Sequence, residues 1–218
     1  MARIDEIGIL FDLDGVLLDT EGAYSHLWTD IDGCYPTGVP DFAAVIKGSN
    51  LDNILNTYFS PEVHADVVRR LDEYQATMQY MFFDGTLEWL DALADAGLPM
   101  CVVTSSDERK MNAVYAQHPT FKQRFAAVVT GDMVSNPKPD PECFLLGAAL
   151  LHKLPENCVV FEDSVNGLKA ARSAGTAVIG LSTTCPQEIV KPLCDKCVAS
   201  LAELTVNDIV ELLSGHEL

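Results

Sequence analysis

Residues 7–15 read IGILFDLDG, a continuous apolar run that ends at an aspartate. The run from Ile7 to Phe11 is typical of a strand that is buried on both faces. Similar runs recur at residues 100–103, 126–129, 159–161 and 177–181, and helical patterns lie between them. Strands that alternate with helices indicate a parallel sheet covered on both faces. The sequence therefore predicts an α/β fold with a Rossmann-like parallel sheet.

One long segment interrupts this alternation. Residues 21–81 are nearly all helical in pattern, and they separate the first predicted strand from the second. A crossover of this length would be unusual within one compact domain. We therefore predict an inserted helical cap domain at residues 18–83 and a catalytic core formed by residues 1–17 and 84–218.

The composition argues against some classes of binding partner. The chain has 218 residues and a formal net charge of -18, and such an acidic surface repels nucleic acid and anionic membranes. No apolar run has the length of a membrane span, and the first residues do not resemble a signal peptide. We expect a cytoplasmic monomer with reduced thiols. The Cys194–Cys197 pair is interpreted as structural, because a zinc site usually needs a second ligand pair.

Polar residues follow the predicted strands. In chain order they are Asp12 and Asp14, Thr104 and Ser105, Lys138, and Glu162 and Asp163. Ligands of parallel sheets bind beyond the carboxyl ends of the strands, so we expect these residues to converge. Carboxylates, hydroxyls and one lysine suit phosphoryl transfer, which needs a nucleophile, cations and proton management. Asp12 and Asp163 could bind a hard divalent cation through oxygen, which favours Mg²⁺.

Each of these signals is weak when it is taken singly. An Asp-x-Asp sequence is common, and a lysine between two prolines is usually a solvated turn residue. Glu162 and Asp163 could simply favour the start of a helix. Four such signals in order, each at a strand end, are hard to assign to chance.

The same positions resemble four motifs of the haloacid dehalogenase superfamily. Residues 11–20, FDLDGVLLDT, resemble the first motif, and residues 102–105, VVTS, resemble the second. Lys138 in residues 138–141, KPDP, resembles the third, and residues 161–167, FEDSVNG, resemble the fourth. The resemblance covers nearly the whole chain, and the helical insert is similar to the family's small cap. The most similar subgroup is that of the phosphatases and β-phosphoglucomutases.

The resemblance implies a mechanism and a cofactor. Asp12 would attack phosphorus and form an aspartyl-phosphate, while Asp14 would protonate the leaving oxygen and then activate water. Thr104 and Lys138 would bind the transferring phosphoryl group. The implied Mg²⁺ ligands are the Asp12 carboxylate, the Asp14 backbone carbonyl and Asp163, with Glu162 in a supporting position.

The cap would supply the contacts that select the substrate. Lys47, Gly48 and Ser49 resemble the family's substrate-specificity loop. Tyr24 and Arg70 are further candidates for substrate binding. The substrate is expected to be a small phosphorylated metabolite, possible examples being sugar phosphates.

Two other functions stay open from the sequence. A β-phosphoglucomutase-like enzyme would share the chemistry, but the mutase's cap histidine aligns with Tyr24 and its phosphate-binding arginine aligns with Leu51. His26 lies on a different helix face, whereas Arg70 could replace the lost cation and keeps the mutase as an alternative. The other alternative is a catalytically silent protein that binds a phosphorylated metabolite. The intact acids and lysine of the four motifs argue against it.

Overall fold

The structure, a computed structural model, describes residues 4–215 and contains a six-stranded, all-parallel sheet with the strand order β3-β2-β1-β4-β5-β6. The strands are β1 (Gly8–Phe11), β2 (Met100–Val103), β3 (Ala127–Val129), β4 (Cys158–Glu162), β5 (Ala177–Leu181) and β6 (Lys196–Val198). This sheet confirms the predicted α/β class. The predicted core also includes residues 1–3 and 216–218, which lie outside the described residues.

Three strands differ from the apolar runs that predicted them, and the first of these begins at Gly8 and not at Ile7. The fourth strand extends to Glu162, which pairs with Gly180 and is buried. A buried charged residue interrupts an apolar pattern, so the pattern could not show that the strand continues. The third strand begins one residue later than predicted, at Ala127.

Helices cover the sheet and form the insertion. They are α1 (Glu21–Cys34), α2 (Phe42–Val45), α3 (Leu51–Tyr58), α4 (Pro61–Gln75), α5 (Thr86–Asp95), α6 (Glu108–Gln117), α7 (Glu142–Leu150), α8 (Val165–Ser173), α9 (Gln187–Val190) and α10 (Val206–Gly215). Short 3₁₀ helices occupy Ile4–Glu6, Phe121–Arg124, Gly131–Met133, Pro155–Asn157, Lys191–Leu193 and Leu201–Glu203. Among residues 4–215, none of these helices is long and apolar enough to cross a membrane.

The sheet separates two hydrophobic clusters. Ile9 and Phe11 belong to the cluster on one face and Leu10 to the cluster on the other, as expected where side chains alternate along a strand. The rings of Phe11 and Phe161 stack with their centroids 4.5 Å apart. Burial of both faces explains why the strands read as continuous apolar runs.

Helices α1–α4 share a third hydrophobic cluster of their own, which includes Trp28, Phe42 and Leu71. The two stretches that join these helices to the sheet run side by side. The Asp19 N–H donates to the carbonyl of Met81 at 2.8 Å, and the Phe83 N–H donates to the carbonyl of Leu17 at 3.2 Å. The separate cluster supports the idea of a cap, while its boundaries at residues 18 and 83 remain a prediction.

Candidate active site

Three buried carboxylates meet at the carboxyl edge of the sheet. Asp12 directly follows β1, and its N–H donates to the carbonyl of Phe161 on β4 at 3.0 Å. Glu162 ends β4, and Asp163 follows it. One carboxylate oxygen from each acid lies within 4.8 Å of the others, and all three acids are buried. Parallel strands that end in register thus bring together acids that are 150 residues apart in the chain.

Lys138 lies between two of these acids. Its Nζ donates to Asp12 Oδ1 at 2.5 Å, to Glu162 Oε1 at 2.8 Å and to the carbonyl of Val103 at 3.3 Å. Burial alone would lower the pKa of this ammonium, but Asp12 and Glu162 raise the Lys138 pKa well above its ordinary value. The lysine is therefore a permanent positive charge beside Asp12, and it is not a solvated turn residue.

Replacing Lys138 by methionine should lower the free energy of unfolding by about 3 kcal/mol, because removal of one partner leaves buried carboxylates without their counter-charge. Urea unfolding in the presence of a chelator measures this change. The exposed Lys169 on α8 provides the matched control, and Lys169→Met should change the stability by less than about 0.5 kcal/mol. Equal stabilities of the two variants would contradict a structural charge role for Lys138.

Glu162 and Asp163 differ in how many partners they have. Glu162 Oε2 accepts from the N–H groups of Asp163 and Ser164 at 2.8 and 2.7 Å, and Oε1 accepts from Lys138. Oδ2 of Asp163 is buried. The Thr184 hydroxyl lies near this carboxylate, but Oδ2 has no hydrogen-bond partner of ordinary geometry among the described residues. Burial, with Glu162 and Asp12 nearby, raises the pKa of Asp163 well above its ordinary value. Asp163 thus presents an unsatisfied oxygen where Glu162 does not.

The cluster fits a hard divalent cation. Burial raises the pKa of Asp12 to about 7 against the opposing charge of Lys138, and the Glu162 carboxylate adds to the rise. Three carboxylates share one ammonium, so the site has an excess of buried negative charge that a cation would neutralise. A Cβ at Gly15 would lie 2.0 Å from Asp163 Oδ2, and Gly15 has a φ of +79°. Any other residue at position 15 would therefore collide with this oxygen.

Asp14 is held by three donors at the same edge. Thr20 Oγ1 donates to Asp14 Oδ1, while Ser106 Oγ and Lys110 Nζ donate to Oδ2 at 3.0 and 2.5 Å. Burial alone would raise the pKa of this carboxyl, but the Lys110 ammonium lowers the Asp14 pKa below its ordinary value. Lys110 also lies over the ring of Tyr24, with its Nζ 4.1 Å from the ring centroid.

Thr20, Ser106 and Lys110 are not among the site residues predicted from the sequence. Thr20 is the last residue of the first motif and Ser106 directly follows the second, so their positions could have indicated a role. Lys110 lies in α6, 96 residues after Asp14, and the sequence contains no pattern that connects the two.

Thr104 and Ser105 follow β2 at the same edge. Thr104 is buried, and its hydroxyl accepts from the N–H of Ser106 at 3.0 Å. Ser105 Oγ donates to the carbonyl of Gly48 at 2.7 Å. Asn166 Nδ2 donates to the carbonyl of Lys47 at 2.8 Å. The Lys47–Gly48 loop therefore lies directly against the ends of the strands.

A cavity of about 130 Å³ connects the carboxylates to helices α1–α4. The predicted site residues that line it are Asp12, Asp14, Tyr24, Lys47, Gly48, Ser49, Thr104, Ser105, Glu162 and Asp163. Arg70 does not line it. The Arg70 Nε donates to Asp66 Oδ2 at 2.7 Å, and the guanidinium lies over the Tyr35 ring. A local ion pair one helical turn away thus holds Arg70 outside the cavity.

Comparisons with known proteins agree with this architecture. A family model for haloacid dehalogenase-like hydrolases matches residues 8–175. Hexitol phosphatase A of Escherichia coli is 30% identical over 205 residues, which are 91% of this chain and 93% of that protein. Fructose-1-phosphate phosphatase of Escherichia coli is 33% identical over 175 residues, covering 77% and 92% of the two chains.

A solved structure of a β-phosphoglucomutase from Clostridium difficile has a TM-score of 0.80 at 22% identity. The match covers 96% of this chain and 97% of that one. At this level of identity the likeness concerns the fold. The comparisons confirm the predicted enzyme class, a phosphoric monoester hydrolase. The chain belongs to the haloacid dehalogenase-like hydrolase family.

Proposed function

We propose that this chain is a Mg²⁺-dependent phosphatase that hydrolyses a small phosphorylated metabolite through an aspartyl-phosphate on Asp12. The observation that carries the proposal is the position of Asp12, buried at the end of β1 with Lys138 Nζ at 2.5 Å and within the same acid cluster as Asp163. Two similar proteins are named for hexitol and fructose 1-phosphate, which supports a sugar or polyol phosphate as the substrate.

The proposed reaction has two steps, formation of an aspartyl-phosphate and its hydrolysis. An Asp12 oxygen attacks phosphorus, and the bond from phosphorus to the ester oxygen breaks with its electron pair on that oxygen. Asp14 gives this oxygen a proton and later takes a proton from the water that attacks the aspartyl-phosphate. Thr20, Ser106 and Lys110 hold Asp14 as the carboxylate that the second task needs, and it must take up a proton from solvent before it can perform the first.

Other groups neutralise and orient the phosphoryl group. The Lys138 ammonium, the Thr104 hydroxyl and the Ser105 backbone N–H would hold its oxygens. Mg²⁺, held by the carboxylates of Asp12 and Asp163 and by the backbone carbonyl of Asp14, would supply further positive charge to the phosphate. Mg²⁺ is the cation that best suits an oxygen site shared with a phosphate group.

Residues 18–83 would act as a cap over this site. The hydrogen bonds from Ser105 to Gly48 and from Asn166 to Lys47 join the two parts where the cavity meets the sheet. A cap in this position excludes water while the phosphoryl group is transferred.

The direct test is a screen of phosphorylated metabolites with Mg²⁺, which measures the release of inorganic phosphate. We expect release from at least one sugar or polyol monophosphate and from p-nitrophenyl phosphate. Binding of these compounds without any release would favour the alternative of a silent binding protein.

The mutase alternative predicts a different product. With β-glucose 1-phosphate and a trace of the bisphosphate, inorganic phosphate should form at least about tenfold faster than glucose 6-phosphate. The reason is that Tyr24 is a poor replacement for a histidine, Leu51 cannot bind a phosphate, and Arg70 is held by Asp66. Quantifying both products over time measures the ratio, and a faster formation of glucose 6-phosphate would establish the mutase instead.

A further inference from the structure

We infer that the substrate is a monophosphate whose remaining part is uncharged and rich in hydroxyl groups, and that Gln75 binds those hydroxyls. The inference rests on the proposed phosphatase function. It concerns the part of the cavity that faces helices α1–α4, which we call the distal compartment and define by Tyr24, Ser25, Trp28, Ile54, Leu71 and Gln75.

The lysines that line the cavity are already paired with carboxylates. Lys47 Nζ lies 2.9 Å from Glu21 Oε2, and Lys110 Nζ lies 2.5 Å from Asp14 Oδ2. Within residues 4–215 no other lysine or arginine lines the cavity. Lys138 is not a lining residue, but it bonds to Asp12, which is. The charges of both lining lysines are therefore already balanced by carboxylates.

The distal compartment offers a second anion no unpaired cation among the described residues. The Lys110 ammonium lies 4.1 Å from the Tyr24 ring centroid, but it is already bonded to Asp14. Trp28, Ile54 and Leu71 form an apolar wall, which Ala43, Ile46 and Leu51 extend. A phosphate placed against this wall would lose its hydration and gain no cation in return. A substrate with a second phosphate at its far end should therefore bind poorly.

Neutral polar groups lie in the same compartment. The Tyr24 hydroxyl lies beside Gln75 and Tyr80, yet it is buried without a hydrogen-bond partner of ordinary geometry among the described residues. Lys110 packs on the Tyr24 ring and holds it in place. Gln75, the last residue of α4, lines the cavity with an amide that can donate and accept.

A sugar or polyol matches both the apolar wall and the neutral polar groups of the distal compartment. Its hydroxyl groups would pair with the amide of Gln75, and its C–H face would pack on Trp28 and Leu71. A bound ligand removes water from the Gln75 amide, so a ligand hydroxyl that pairs with this amide gains affinity that an apolar ligand would not.

The first test compares matched pairs of substrates on the wild-type enzyme with Mg²⁺. The pairs are fructose 1-phosphate with fructose 1,6-bisphosphate and glucose 6-phosphate with glucose 1,6-bisphosphate, and p-nitrophenyl phosphate reports the basal phosphatase. For at least one pair we expect kcat/KM to be at least about a hundredfold higher for the monophosphate. Equal values in both pairs would overturn the inference and leave the phosphatase proposal intact. Hydrolysis of p-nitrophenyl phosphate alone would also overturn it, whereas no hydrolysis of any compound would overturn the proposed function itself.

The second test introduces a positive charge into the distal compartment. Gln75→Lys should reduce the preference for the monophosphate at least about tenfold, because the lysine meets the second phosphate. Gln123→Lys adds the same charge at an exposed position outside the cavity, and it should leave the preference unchanged. If both variants kept the wild-type preference, the assignment of the distal compartment would be overturned.

A third variant tests the hydroxyl contact and does not depend on the folding of the lysine variant. Gln75→Leu should lower kcat/KM about tenfold more for the sugar monophosphate than for p-nitrophenyl phosphate, which offers no hydroxyl. An equal loss on both substrates would overturn the role of Gln75.

Discussion

Replacing Asp12 by asparagine should lower kcat by at least about ten-thousandfold, which is the scale of losing a nucleophile. The amide nitrogen cannot attack phosphorus, and the remaining oxygen belongs to a neutral amide that is a poor nucleophile. Lys138 would keep its contact with Glu162, and one of three crowded carboxylates would become neutral. We therefore expect the variant to fold and to show a midpoint of thermal unfolding at or above that of the wild type.

The measurement is the steady-state release of phosphate from p-nitrophenyl phosphate at saturating Mg²⁺. Asp19→Asn is the matched control, because Asp19 belongs to the same motif but is exposed. The control should retain activity within about twofold, as most surface substitutions do. Substantial turnover by a folded Asp12→Asn protein would exclude Asp12 as the nucleophile.

Much of the site could be predicted because parallel strands end at one edge of the sheet. Phe11 on β1 pairs with Val102 on β2 and with Phe161 on β4, so the residues that follow these strands must lie close together. An apolar run that is followed by an acid or a hydroxyl residue marks the end of a strand, and so the edge of the sheet, directly in the sequence. Asp12 and Thr104 are recognisable in this way from the sequence alone.

The remaining contacts depend on how helices pack, which the local sequence does not encode. Lys110 reaches Asp14 only because α6 presents that residue toward the end of β1. Gln75 reaches the cavity only because α4 ends there. Arg70 shows the opposite case, since the ion pair with Asp66 on the same helix holds it away from the cavity. Whether a helix side chain reaches the cavity or is held away from it therefore depends on the tertiary fold and not on a motif.

Removal of divalent metal should abolish the phosphatase activity, and Mg²⁺ should restore it. The physical reason is the charge of the cluster, in which Lys138 pairs with Asp12 and Glu162 while Asp163 adds a third carboxylate beside them. A phosphate dianion cannot approach three buried carboxylates unless further positive charge is present. We expect a loss of at least about a hundredfold in excess chelator, and weaker activity with Ca²⁺, whose larger coordination shell would misplace Asp12.

Metal binding should also be visible without any substrate. A cation that binds only the folded chain raises its stability in proportion to the logarithm of metal concentration, so Mg²⁺ should raise the midpoint of unfolding. Asp163→Asn should remove most of this increase, because it neutralises the buried carboxylate whose Oδ2 has no protein partner among residues 4–215. Asp19→Asn, at an exposed position outside the cluster, should keep the increase. Full activity in excess chelator, or an equal Mg²⁺ response of both variants, would show that the cluster is not the metal site.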